Sequence, residues 1–247
     1  MRLLSYNIRY GGTGRERLIA SVIRGCDADV VLLQEATHPH VVERLAVETG
    51  LKAWAARPGH SLAFLSRLEI SHHEWHRPAG SRHPLLEVVP AGTDLRLFGL
   101  HLSAVHSAPT EWRRVREMRA LLRGTEHLRG GPHVLAGDFN TLAPGESLDW
   151  RRLPPRLRPF VWLSGGRVRY QTIPLLLGEG YADAYRLLHP QDAGHTFPTW
   201  GAHVRLDYFF IPARFADRIE DCRVVTSHPD AAPASDHFPL LAQLKPD

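Results

Sequence analysis

Residues 133 to 142 read HVLAGDFNTL. The run begins like a buried strand, with Val134, Leu135 and Ala136, and then carries Asp138 and Asn140 two positions apart. In an extended chain residues i and i+2 share a face, so a carboxylate and a carboxamide converge on one point. Such a carboxylate can accept or orient a proton, and the carboxamide can donate to an anionic oxygen. The same placement recurs. Asn7 ends RLLSYN, Gln34 and Glu35 end VVLL, Asp207 opens a strand in RLDYFFI, and Asp236 with His237 opens HFPLLAQL. A carboxylate beside a core strand is costly to bury alone and is tolerated only with a cation or a hydrogen-bond network.

Each position also has a plainer explanation. GDFN can be an ordinary turn. Glu35 can open the next helix, Asp207 can form a surface bridge with Arg205, and His237 can be structural, as most of the 16 histidines must be. Ser235, Asp236 and His237 are contiguous, and adjacent side chains on a strand diverge, which argues against a serine triad. GGTG has Arg17 where a dinucleotide loop needs its third glycine. Taken jointly, the plainer explanations require five independent coincidences.

The elements that must position these groups follow from periodicity. RLLSYNIRY alternates as a strand, with Leu4, Tyr6 and Ile8 on one face. ERLIASVIRGC places Leu18, Ile19, Val22 and Ile23 at helical spacing, and DADVVLLQEA is a continuous apolar strand covered on both faces. HVVERLAVETG is a helix ended by Gly50. SLAFLSR, LEISHHEW, HPLLEVVP and DLRLFGLHL read as antiparallel strands. Thr110 is the expected cap of helix EWRRVREMRALLR, with Trp112, Val115, Met118 and Leu122 as its apolar stripe. Residues 143 to 172 read as irregular, a short helix is expected near Ala182 to Leu188, and RLDYFFI, DCRVVTSH and HFPLLAQL close the chain as strands. Strands alternating with helices, without a repeat or linker, point to one domain over residues 1–247 with helices outside sheets.

Bulk properties narrow the classes. The chain has 247 residues, 43% hydrophobic, and a formal net charge of +4 carried almost wholly by Arg, since Lys occurs only at Lys52 and Lys245. A basic excess fits an anionic substrate. Two cysteines, Cys26 and Cys222, make neither a disulfide framework nor a zinc set. Met1 runs directly into a strand pattern, and no apolar run approaches the ~20 residues that span a bilayer. The expectation is a cytoplasmic protein without stable membrane insertion, and no protein partner is implied.

The ordered set SYNIRYG (5–11), VVLLQE (30–35), GLHL (99–102), LAGDFNT (135–141), RLDYFFI (205–211) and ASDHFPL (234–240) resembles the endonuclease/exonuclease/phosphatase superfamily, also called deoxyribonuclease-I-like. TFPTW, before RLDY, fits the same pattern. The resemblance implies an α/β fold, a four-layer α/β sandwich of two mainly antiparallel β-sheets packed face to face with helices outside. It implies hydrolysis of a phosphate ester, usually a phosphodiester, with Mg²⁺ or Mn²⁺. Residue by residue, it implies that Glu35, Asn7 and Asp236 serve the metal. Asp138 and Asn140 would position the attacking water and a phosphate oxygen, Asp207 would orient the catalytic His237, and His101 would contact the scissile phosphate. Whether Asp138 or the Asp207–His237 pair is the base stays open, as does one metal or two.

Substrate choice belongs to the loops. Residues 149 to 172 mix Arg151, Arg152, Arg156, Arg158, Arg167 and Arg169 with Trp150, Phe160, Trp162 and Tyr170. Arginines among aromatics suit a phosphate backbone with stacked bases, and equally an anionic lipid surface or a packed excursion. Arg151, Arg152, Arg167, Arg169 and Trp162 are the candidate substrate contacts. Arg113, Arg114, Arg116 and Arg119 read as a solvated helix face. Nucleic acid is the leading substrate. A lipid or small-molecule phosphodiesterase or phosphatase, of sphingomyelinase or inositol-phosphatase type, is the alternative, and a non-catalytic phosphate-binding relative is a further one.

Overall fold

The alternating N-terminal segment forms strand β1 (Arg2–Asn7), and helix α1 (Glu16–Cys26) carries the chain to the doubly buried strand β2 (Val30–Gln34). Helix α2 (Pro39–Thr49) ends at Gly50, whose φ of 73° is the left-handed cap its sequence signals. Strands β3 (Ala53–Ala55), β4 (Ala63–Ser66), β5 (Ile70–His76), β6 (Leu85–Pro90) and β7 (Arg96–His101) lead to helix α3 (Ala108–Gly124) and strand β8 (His133–Asp138). Beyond them lie α4 (Arg158–Leu163), α5 (Thr172–Gly178), β9 (Tyr181–Asp183), α6 (Ala184–Leu188), β10 (Asp207–Pro212), β11 (Ile219–Val224), α7 (Ala231–Ala234) and β12 (Leu240–Leu244). The computed structural model describes residues 1–81, 83–152, 155, 158–164 and 168–245.

The strands form two six-stranded sheets, ordered β11-β12-β1-β2-β4-β3 and β5-β6-β7-β8-β10-β9. Each sheet has one parallel pair, β1 with β2 and β7 with β8, and is otherwise antiparallel. Parallel pairing needs a crossover, supplied by α1 in the first case and α3 in the second. Between the sheets, Leu3, Leu32 and Phe64 of the first pack with Leu86, Val134 and Phe209 of the second. Outside the first sheet, Leu4, Val31 and Leu33 meet Ile19 and Val22 of α1 and Val42 and Leu45 of α2. Outside the second, Phe98 and Leu135 meet Met118 and Leu121 of α3 and Ile173 of α5. The expected four-layer α/β sandwich is therefore the observed fold. Each such fully buried side chain contributes roughly 1.5–3 kcal/mol of apolar burial.

Several local expectations need correction. Helix α3 is capped by Ser107, whose Oγ accepts the Thr110 N–H at 3.3 Å; Ser107 is extended, and Thr110 lies inside the first turn. The inward face of α3 is charged in its first half. Glu111, Arg114 and Glu117 are buried, whereas Trp112 is 75% exposed. Arg114 is fully enclosed, donating from Nε to Glu111 Oε2 at 2.9 Å and from NH1 to the carbonyls of Ser103 and Val105. Strand β3 leaves no sequence signature, because AWA is three half-buried residues at a sheet edge. The stretch read as irregular contains α4 and the start of α5, and the segment opening with His237 becomes a strand only at Leu240.

Candidate active site

Parallel strands end at the same edge, and here that edge collects the chemistry. Asn7 ends β1, Glu35 follows β2, His101 ends β7 and Asp138 ends β8. The antiparallel strand β10 starts at that edge with Asp207, and the segment entering β12 brings Asp236 and His237. Asp138 is the register partner of His101 on one side and Asp207 on the other. Gly137 permits this register. Its φ is 146°, and an added Cβ would lie 1.9 Å from the Leu100 carbonyl oxygen.

Side chains from several elements meet at Asp138. Asn7 Nδ2 donates to Asp138 Oδ2 at 3.0 Å and approaches Glu35 Oε1 at 3.3 Å. His101 Nε2 and His237 Nε2 lie 3.7 and 3.8 Å from the same Asp138 oxygen. His237 Nδ1 bonds Asp207 Oδ2 at 2.9 Å. Asn140 reaches the cluster by a turn rather than by the pleat, with φ at 52°. Its backbone N–H donates to Asp138 Oδ1 at 2.9 Å, and its carboxamide donates to the Leu102 carbonyl at 3.1 Å. Arg205 does not pair with Asp207; it is buried between Asp183 and Glu146.

Three supporting groups carry little signal of their own in the sequence. Ser61 Oγ accepts the Glu35 N–H at 3.0 Å and bonds His101 Nδ1 at 2.5 Å. In the tautomer that carries its proton on Nε2, facing the Asp138 carboxylate, the ring accepts the Ser61 hydroxyl at Nδ1. Ser235 Oγ donates to the Asn7 carbonyl at 2.6 Å, tying the His237 segment to β1. Arg9 Nε lies 3.4 Å from Asp236 Oδ2, so Asp236 is ion-paired to one side of the cluster. The clues are positional: Ser61 enters a strand beside Glu35's turn, Ser235 precedes the Asp-His pair, and Arg9 is two residues beyond Asn7.

Burial and charge set the protonation pattern. Burial pushes the Asp138 carboxyl up; the Asp207 charge adds to this, and His237 with the Asn7 and Asn140 N–H donors opposes it, leaving it at about 7. Burial alone would lower His237, yet the charges of Asp207 and Asp138 and the Asp207 hydrogen bond raise it to about 10. His101 is lowered to about 4, chiefly by burial, so its ring is neutral. The result is an imidazolium between two buried carboxylates, next to a neutral imidazole.

Oxygen donors suited to a hard divalent cation are present. Asp138 and Asp207 offer carboxylate oxygens in one buried group with His237, whose protonated ring is not a ligand, and Glu35 and Asp138 approach a common Asn7 nitrogen. The upward shift of Asp138 comes chiefly from burial, with the Asp207 charge adding to it, and a cation bound beside it would favour the ionised form. This donor set fits Mg²⁺ or Mn²⁺ better than a soft ion.

The predicted substrate residues belong to the segment between β8 and α5 and not to the strand ends. Arg152 NH2 donates to the Gly201 carbonyl at 3.3 Å, and Arg151 and Arg169 are exposed. Trp162 is exposed on α4, whose Phe160 lines a cavity of about 570 Å³ shared with His83, His101 and Arg113. Arg167, with Arg156, lies outside the described residues.

Solved structures share this architecture. An AP endonuclease from Archaeoglobus fulgidus matches with a TM-score of 0.74 at 16% identity, over 100% of both chains. A variant of the 3′ phosphatase NExo from Neisseria, bound to a product DNA hairpin, matches with a TM-score of 0.70 at 20% identity, over 99% of both chains. An endonuclease/exonuclease/phosphatase from Beutenbergia cavernae DSM 12333 gives 0.71 at 21% identity, over 99% of this chain and 71% of that one. No curated protein matches the sequence. The family model for endonucleases, exonucleases and phosphatases matches residues 4–237, a span that runs from β1 to His237 and takes in every strand end just described. On that match the chain belongs to the endonuclease/exonuclease/phosphatase family.

Proposed function

We propose that this protein is a divalent-cation-dependent phosphodiesterase acting on nucleic acid. The observation that carries the reading is the convergence of Asn7, His101 and His237 on one buried oxygen of Asp138. In this reading Asp138, ionised, takes a proton from the water that attacks phosphorus. The bond from phosphorus to the leaving oxygen breaks, and that oxygen receives the Nε2 proton of His237. Asp207 holds the imidazolium, and its influence in raising His237 to about 10 favours an acid over a base. Neutral His101 donates from Nε2 to a non-bridging oxygen. Glu35, with Asn7 beside it, and Asp236 would hold the cation, which supplies Lewis-acid stabilisation of phosphate charge when bound. The DNA hairpin bound by the Neisseria relative supports nucleic acid as the polymer.

The test is a panel of abasic duplex, single-stranded DNA, RNA, sphingomyelin and a phosphoinositide, with Mg²⁺ and Mn²⁺. Cleavage of a nucleic acid, lost in EDTA and restored by either cation, is expected. Turnover confined to a lipid would overturn the substrate, and no turnover of any ester would overturn the activity. Mn²⁺ should also raise the melting temperature of the wild type and not of Glu35→Gln, since a ligand stabilises the state that binds it.

A further inference from the structure

Beside the cluster, an arc of side chains runs from His237 to Glu35. Phe197 packs on the His237 ring with centroids 4.8 Å apart, and Trp200 packs on Phe197 at 6.4 Å. The Arg9 guanidinium lies 5.9 Å from the Trp200 ring and 5.2 Å from the Tyr10 ring. Tyr10 closes the arc by donating its backbone N–H to Glu35 Oε2. Tyr10 and Trp200 are 69% and 68% exposed, and the Arg9 side chain is 39% exposed.

Folding does not account for this arrangement. Two bulky rings face water beside a cation instead of packing inward. Arg9 and Tyr10 have φ of 51° and 47°, a left-handed region that such residues rarely occupy. The surroundings hold them there: Arg15 donates to the Arg9 carbonyl, and the Asn7 carboxamide oxygen accepts the Arg9 N–H at 2.9 Å. The turn that carries Trp200 is fastened to the His237 segment, because Thr199 donates from its backbone to the Asp236 carbonyl and from its hydroxyl to that of Ser235. Asp236 meets Arg9 at Nε, 3.4 Å away. The guanidinium thus lies between two exposed rings, within cation–π distance of both.

Building on the proposed activity, we infer that Arg9, Tyr10 and Trp200 form the subsite for the nucleotide next to the cleaved diester. The guanidinium takes the flanking phosphate, Asp236 orients it, and the rings stack on the base. Arg9 and the rings select substrate; the Asp138 cluster cleaves it.

The test compares thymidine 5′-(4-nitrophenyl phosphate) with methyl 4-nitrophenyl phosphate, two diesters with one leaving group. The readout is the ratio of their kcat/KM values, alongside calorimetric binding of thymidine 5′-monophosphate. Trp200→Ala and Tyr10→Ala should each reduce the ratio by about tenfold through KM, since base stacking is typically worth about that factor or more. Arg9→Gln should weaken nucleotide binding by a similar factor, and Arg9→Lys should restore part of it. A purely structural role would lower both substrates together and leave the ratio fixed. An unchanged ratio in both ring variants, with both esters cleaved, overturns the subsite and spares the activity. Wild type that cleaves neither ester yet binds the nucleotide through Trp200 overturns the activity and spares the subsite.

Discussion

At the scale of single residues, chemistry is concentrated on one carboxylate oxygen. Asp138 Oδ2 faces the Asn7 amide and two imidazoles, one charged and one neutral. In the proposed reaction, Asp138→Asn and His237→Ala each remove a proton-transfer group, typically worth roughly 10²–10⁴ in rate. Steady-state kcat should fall by that order while circular dichroism stays unchanged. The pH profile has a defined shape. Asp138 must be ionised and His237 protonated, so kcat/KM should drop on the acid side as Asp138 takes up its proton near 7 and on the alkaline side as His237 loses its own toward 10. A bound cation shifts the acid limb lower. Asp207→Asn removes a charge and a hydrogen bond that raise His237, so the alkaline limb should move to lower pH; an unmoved limb would refute the pairing. Much of this was legible. Asp138, Asp207 and His237 announced themselves as costly groups at apolar strand ends. The partners that hold these groups in place, Ser61 and Ser235, did not, because a serine beside a strand has many ordinary uses.

Elements decide how closely those residues approach. Gly137 lets β8 sit against β7 at the position before Asp138. Gly137→Ala should push the strands apart, lowering stability by a few kcal/mol in denaturant melts and lowering kcat with it. Helix α3 gives a second case. Glu111 accepts from Arg114, from Thr141 beyond the Asp138 strand, and from Gln171 and Thr172 at the start of α5. Arg114→Met leaves that buried carboxylate without its cation, which costs about 3–5 kcal/mol. Calorimetry should show melting about 10 °C lower, at roughly 2–4 °C per kcal/mol for a chain of this size. Periodicity placed α1 and α2 within a residue or two, because their buried faces are apolar. It misjudged α3 for the opposite reason. A helix whose inward face begins with an ion pair reads as solvated there, and Trp112, the first residue of the expected stripe, is exposed to water, whereas Met118 and Leu122 are buried as expected.

Across the whole molecule, two crossovers do the assembling. Each sheet contains one parallel pair bridged by a helix, and the two pairs deliver Asn7, Glu35, His101 and Asp138 to the same edge. The linear order of motifs was legible because strand ends leave local signatures; that the ends face one another across the sandwich follows only from packing the two sheets. Charge at this scale makes the last prediction. The net charge is +4, and exposed arginines include Arg9 at the mouth and Arg151, Arg152 and Arg169 on the loops beyond β8. If a polyanion is the substrate, binding releases counterions, and log KM for duplex DNA should rise linearly with log salt at a slope near about 0.9 per phosphate neutralised. Measured between about 50 and 200 mM salt, the slope for wild type should exceed that of Arg151→Ser/Arg152→Ser by about one or two phosphates. Methyl 4-nitrophenyl phosphate, with a single charge, should show almost no slope in either protein. Equal slopes for the polymer in wild type and variant would remove these two arginines from the binding track and shift polymer recognition to cations nearer the site, Arg9 among them.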